Sequence, residues 1–505
     1  MIKNILLLML LAVSAAGKAQ QKRPNIILFL VDDLGWQDTS VPFWEETTPQ
    51  NRKFHTPAME RLAKEGVKFT NAYATPVCTP TRVSLLTGMN VTAHYITNWT
   101  SPLKDNPTDA ADKQFLPPHW NYNGLSPVAG VPHTVHATTF PQLLKEAGYY
   151  TIHAGKGHWA SNGTPGSNPL NLGFLINITG NGAGSPQSYL GSDNYGNLPG
   201  KARWQAVPGL NEYYGSDTFL TEALTLEALK ALEEPVSRKQ PFFLNMSHYA
   251  VHDPFMPDKR FFQKYLDKGL DSLEAAYATL VEGMDKSLGD IMQFLKAKKI
   301  EHNTIILFMS DNGGLSNPGY RSGTSYIQNA PLRSGKGSVY EGGIREPMIV
   351  KWPGITKAGA AVKQYIIVED FFPTILEMAG VKKYKTLQHV DGRSFVPVLK
   401  NISFTDNQRV LVWHSPNKWV QEDGPGINYF SAIRQGDWKL VYSMRSGTAQ
   451  LFNIKNDIGE NTDLSAANPQ KTKELLNLLG MRLKNKKAPM PVDAATGMPL
   501  PYPAQ

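Results

Sequence analysis

The sequence predicts an α/β fold: a large, mostly parallel mixed sheet sandwiched by helices, with a smaller C-terminal α+β domain. Three observations predict it. Short unbroken apolar runs alternate with helix-patterned stretches. Two of those runs end in acidic or amide residues and a turn. After about residue 400 the alternation gives way to closely spaced strand-like pieces. With 505 residues, 41% of them hydrophobic, the chain is long enough for one large domain and a small one.

Taken in order, residues 1–19 read as a signal peptide. Lys3 gives a basic start, Ile5 to Ala16 is apolar, and Gly17-Lys18-Ala19 offers small residues for cleavage. The run is too short for a bilayer anchor, so an exported, periplasmic or secreted, protein without a membrane anchor is expected. Its removal takes away Lys3 and Lys18 and lowers the formal charge from +8 to +6, a mild field that suits an anionic substrate. No basic run carries interleaved aromatics, which argues against nucleic acid.

Residues 20–400 are assigned to the large domain. The run Asn25–Val31 reads as a strand buried on both faces and is followed by Asp32-Asp33. Thr304–Met309 reads the same way and leads into Ser310-Asp311-Asn312-Gly313-Gly314. Ligands of open α/β sheets sit at the carboxyl ends of strands, so both clusters belong to one site. Asp32, Asp33, Asp311 and Asn312 offer only oxygen, which suits a hard cation, Ca2+ or Mg2+, and lacks the His and Cys expected of zinc.

Helices are predicted from Thr56-Pro57 to Gly66, with Thr56 as cap, from Phe140 to Ala147, and over Ser272–Lys298. Tyr150–Ala154, Phe242–Met246 and Met348–Trp352 read as further strands. Residues 401–505 are assigned to the small domain. It has strand pieces in Ser431–Met444 and Gln450–Ile454, a helix over Lys471–Lys484, and an extended surface tail from Pro489.

The chain has one cysteine, so no internal disulfide is possible. Cys78 precedes Thr79-Pro80-Thr81-Arg82 and Ser84-Leu85-Leu86-Thr87-Gly88. Pro80 and Gly88 bracket a helix and set Cys78 just before its N-terminus, an end that attracts anions. Arg82, one turn on, points back to the same site.

This run, Cys78-Thr79-Pro80-Thr81-Arg82 with Thr87-Gly88, resembles the signature of the type I sulfatases of the alkaline phosphatase superfamily. The resemblance extends from about Arg23 to Asp463. It implies that a formylglycine-generating maturase oxidises Cys78 to Cα-formylglycine, and that Ca2+ is expected ahead of Mg2+ as cofactor. Asp32, Asp33, Asp311 and Asn312 match the family's metal residues. Lys156 and His158 match the pair beside the nucleophile, His252 the histidine near the leaving group, and Lys336 the second sulfate-binding lysine. Two departures stand out. Gly157 replaces the tryptophan usual between lysine and histidine, and Val251 replaces a proline before His252, with His248 as the neighbouring alternative.

The implied reaction is sulfate-ester hydrolysis by a formylglycine gem-diol. Lys156, Lys336 and the metal offset charge on the sulfate, His252 protonates the leaving oxygen, His158 accepts a proton and Arg82 orients the diol. The expected substrate is a sulfated oligosaccharide or polysaccharide, with a galactose or N-acetylgalactosamine sulfate preferred. The stretches Thr92–His136 and Trp159–Trp204 carry aromatics suited to a sugar, and Trp99 and His119 are the substrate-binding residues selected from the first. The rivals are a formylglycine phosphonate or phosphodiester hydrolase and a non-catalytic binder of sulfated glycans. No feature of the sequence sets an oligomeric state.

Overall fold

The computed structural model describes residues 23–316 and 327–504. The expected signal peptide lies outside the described residues. Across the main sheet the strands run Ala360–Val362, Val67–Tyr73, Arg345–Lys351, Thr304–Ser310, Asn25–Val31, Phe242–Ser247, Tyr150–Gly155 and Ile176–Ile178. Ile366–Ile367 adds to Val67–Tyr73.

Arg345–Lys351 is antiparallel to both of its neighbours, and the other pairs along this order are parallel. The sheet is therefore mostly parallel, as expected. The central strands feed both faces by simple alternation. Ile26, Leu28 and Leu30 enter one core with Ile305, Leu307 and Met309, while Ile27, Phe29 and Val31 enter the other with Ile306 and Phe308. Helix Ser272–Ala297 covers the second face, and Phe371–Met378 packs on the first.

The small domain is an antiparallel sheet of Val410–Ser415, Phe430–Gln435, Trp438–Ser443 and Ala449–Asn453, covered by helix Pro469–Lys486. The tail is extended but tied down: Val492–Asp493 pairs with Phe115–Leu116, and Ala488 and Met490 are buried. A buried charge network joins the two parts. Lys439 Nζ lies 2.9 Å from both Glu341 Oε1 and Glu460 Oε1. Glu341 also accepts from Arg345 and from the Tyr73 hydroxyl.

Two local expectations are corrected. Thr56 precedes helix Pro57–Glu65 but makes no side-chain cap. Its hydroxyl pairs with Ser40, and the free Ala58 and Met59 N–H groups donate instead to Asp285 at 2.9 and 2.8 Å. The helix that carries Cys78 spans Cys78–Thr87, so Cys78 is its first residue and Val77 the cap. Gly88 ends it in the left-handed region at φ 68°.

Candidate active site

Four neighbouring parallel strands end on the same edge of the sheet. Asn25–Val31 delivers Asp32 and Asp33, Thr304–Ser310 delivers Asp311 and Asn312, Tyr150–Gly155 delivers Lys156 and His158, and Phe242–Ser247 leads to His252. Because Arg345–Lys351 runs the other way, its entry loop reaches this edge and brings Lys336. That loop is stitched to its surroundings: Lys336 N–H donates to Gly314 O at 3.1 Å, and Gly337 N–H to Pro76 O at 2.7 Å.

The helix Cys78–Thr87 is buried throughout, including Arg82. The Arg82 guanidinium donates to Asp311 Oδ2 at 2.8 Å, to Lys156 O at 3.0 Å and to Ser247 Oγ at 2.7 Å. One side chain thus ties the Cys78 helix to three strand ends. Burying it alone would be costly, and the carboxylate and acceptors offset that cost.

Lys156 Nζ lies 2.6 Å from Asp32 Oδ2, and Lys336 Nζ lies 2.7 Å from Asp33 Oδ1. Asn312 Nδ2 donates to Asp33 Oδ1 at 2.8 Å. Burial and the nearby Asp311 push the Asp32 carboxyl up to about 8. For Asp33, burial is outweighed by Lys336, His252 and Lys156, which hold it below the usual range. For Asp311, burial is outweighed chiefly by Arg82. Asp33 also sits at φ 61°, a left-handed backbone that Asp tolerates better than most side chains.

Ligand atoms of Asp32, Asp33 and His252 lie within 4.8 Å of one another. The buried Asp32 Oδ1 and Asn312 Oδ1 have no hydrogen-bond partner among the described residues. Unpartnered oxygens beside crowded carboxylates are what a divalent cation needs, so the residues fit a hard metal ion.

Cys78 Sγ is 3.4 Å from His158 Nδ1, and His158 Nε2 is 2.8 Å from Thr100 O. Burial, Lys156 and Arg82 hold His158 neutral, well below the ordinary imidazole value. His252 behaves oppositely. Burial and Lys336 disfavour its charge, but Asp33, Asp32 and Asp253 outweigh them and raise it to about 9. His252 Nε2 is 3.7 Å from Asp33 Oδ2, and its Nδ1 is 2.8 Å from Asp253 Oδ1. His248 turns into the core, with Nε2 2.8 Å from Ser287 Oγ.

A cavity of about 340 Å³ is lined by Cys78, His158, His252 and Lys336, with Trp99, Trp204 and Trp419 also on its wall. Of the two selected sugar residues, Trp99 reaches this cavity and His119 does not. His119 is exposed, with its ring 5.9 Å from that of His133. Trp419 comes from the small domain and was not singled out from the sequence. The arrangement joins a buried thiol at a helix end, two histidines shifted in opposite directions, and cations with a metal-fitting cluster. It can neutralise an anionic ester and move protons on both sides of it.

The family model described as Sulfatase matches residues 24–381, and one described as N-sulphoglucosamine sulphohydrolase, C-terminal, matches residues 335–488. A sulfatase of Formosa agariphila is 30% identical and aligns with 99% of this chain and 96% of its own. The N-acetylgalactosamine-6-sulfatase of Mus musculus is 32% identical over 78% of this chain and 69% of its own. The solved structure of Ps i-CgsB in complex with k-i-k-neocarrahexaose is 26% identical. It superposes with a TM-score of 0.70 over 92% of this chain and 93% of its own. The site and these relatives together lead to one conclusion: the chain belongs to the sulfatase family of the alkaline phosphatase superfamily and is a sulfatase.

Proposed function

We propose that this sulfatase removes O-sulfate from a galactose or N-acetylgalactosamine unit of a sulfated saccharide, using residue 78 as formylglycine and a bound Ca2+. We also propose that the chain is exported and converted by a formylglycine-generating maturase, with catalysis in residues 20–400. One observation carries the reading. Cys78, at the amino end of its helix, shares a cavity with His158, His252 and Lys336 beside the carboxylate–asparagine cluster. The names of the relatives, N-acetylgalactosamine-6-sulfatase and a neocarrahexaose complex, favour galactose-type sugars.

Hydrated formylglycine supplies an oxygen nucleophile with a second hydroxyl, through which sulfate can be expelled. Asp32, Asp33, Asp311 and Asn312 would hold Ca2+, which would supply positive charge for the sulfate. Lys156 and Lys336 add fixed positive charge on that side. Asp33 holds the Lys336 ammonium charged against the cost of burial. His252 donates a proton from Nε2 to the departing sugar oxygen while Asp253 holds its Nδ1. Neutral His158 accepts a proton at Nδ1 from a hydroxyl on residue 78. Arg82 orients that residue through the helix they share.

The test combines a peptide mass with a turnover assay on protein co-expressed with a maturase. The expected result is a residue-78 peptide lighter than the cysteine form, and sulfate release from N-acetylgalactosamine 6-sulfate or galactose 6-sulfate. A converted protein that hydrolyses an aryl phosphonate in preference to every sulfate ester would overturn the reading.

A further inference from the structure

We propose that Trp419 and Trp99 form a preorganised stacking platform for the pyranose ring of the substrate, so that the small domain supplies sugar recognition. The proposal rests on the sulfatase reading of the site and adds to it the class of group bound beside the sulfate.

Both indoles line the cavity that holds Cys78 and Lys336, and both are half-buried. Trp419 stands directly against the sulfate-side loop. A Cβ at position 337 would lie 2.1 Å from its Cε3, so only glycine at 337, at φ 88°, admits the ring beside Lys336. The backbone around it is fixed: the Trp419 N–H donates to Asn428 Oδ1 at 2.8 Å, and Asn428 Nδ2 donates to Asp423 Oδ1 at 2.8 Å.

One short segment of the large domain holds both tryptophans in place. The Thr108 hydroxyl donates to Trp99 O at 2.5 Å. Asp109 Oδ1 accepts from Asn417 at 2.7 Å, and the Ala110 N–H donates to Lys418 O at 2.9 Å. Lys418 then closes on Asp112 at 3.0 Å. The main chain that carries the two indoles is thus tied to one segment before any ligand arrives, which lowers the entropy lost on binding.

Among the described residues neither indole N–H has a hydrogen-bond partner, and one side of the Trp419 ring packs on Gly337. Neither ring pairs with another aromatic ring among the described residues. A flat apolar face with a free N–H at its rim matches the C–H face and hydroxyl edge of a pyranose.

The experiment compares full-length, maturase-converted wild type with Trp419→Ala and Trp419→Phe. Substrates are galactose 6-sulfate, N-acetylgalactosamine 6-sulfate and a small aryl sulfate. Inorganic sulfate serves as an inhibitor that reaches only the anion side. We expect Trp419→Ala to raise KM for the turned-over sugar sulfate about tenfold or more, and Trp419→Phe to recover most of that loss. The inhibition constant of inorganic sulfate should stay within about twofold, which also reports an intact anion site. An unchanged sugar KM in Trp419→Ala, or a sulfate constant that moves in step with KM, overturns the proposal. Wild type that cleaves the aryl sulfate but neither sugar sulfate overturns the platform and leaves sulfate-ester hydrolysis standing. Converted wild type that cleaves none of the three overturns both.

Discussion

Lys439 Nζ stands 2.9 Å from Glu341 Oε1, with both side chains fully buried, across the junction of the two domains. The same ammonium holds Glu460, whose Oε2 accepts the Glu341 N–H at 2.6 Å. This network sits at the end of the loop that carries Lys336. Lys439→Met leaves Glu341 and Glu460 without their shared cation. We expect a loss of about 3–5 kcal/mol, read as a lower denaturation midpoint of the full chain. A midpoint equal to wild type would show that the network contributes nothing.

Metal removal should be visible without any activity assay. Asp32 Oδ1 and Asn312 Oδ1 are buried and unpartnered, and burial together with Asp311 raises the Asp32 carboxyl. After chelation, added Ca2+ should raise the thermal midpoint. At a free concentration a hundredfold above Kd the gain is about 2.7 kcal/mol. Asn312→Ala should shift the required Ca2+ concentration upward. A melting curve indifferent to Ca2+ and Mg2+ would remove the metal from this site.

The two histidines should fail in different ways. His158→Ala and His252→Ala should each lower turnover by about 10²–10⁴, the ordinary range for a lost general acid or base. The His252→Ala loss should shrink on an aryl sulfate whose leaving group needs no proton, whereas the His158→Ala loss should not. Equal losses on both substrates would separate His252 from the leaving group.

Glu369 gives a pH dependence remote from the cavity. It is buried, its Oε1 accepts from Asn90 at 2.8 Å, and its Oε2 has no partner. Burial, followed by the neighbouring Asp370, raises its pKa from 4.5 to about 8. A carboxyl raised in the folded state favours folding when protonated. Its contribution is full below about pH 4.5 and is lost as pH rises to about 8. Glu369→Gln should flatten the fall in thermal midpoint across that window. A wild-type slope retained in the variant would place the dependence elsewhere.

Much of the fold was legible because it depends on local pattern. The buried strands at Asn25 and Thr304 announce themselves as unbroken apolar runs, and the acidic residues after them identify the ligand edge. The strand Val67–Tyr73 escaped notice although Val67, Phe69 and Tyr73 supply a period-two signal. The reversal of Arg345–Lys351 was not readable, since direction is set by which neighbours a strand finds. His119 and Trp99 looked alike as loop residues. In the folded chain one lines the cavity and the other is exposed, a difference set by tertiary packing. Trp419 lies 341 positions after Cys78, and no local spacing could connect them.

Under the proposed conversion of residue 78, the single cysteine makes the chain its own gauge of maturation. Cys78 is 4% exposed, so a thiol reagent should react slowly with the native chain and fully with the denatured one. With no other sulfhydryl to contribute background, each equivalent titrated after denaturation counts one molecule that never acquired its aldehyde. Turnover numbers from different hosts could then be normalised to the converted fraction, separating an inefficient preparation from an intrinsically slow catalyst.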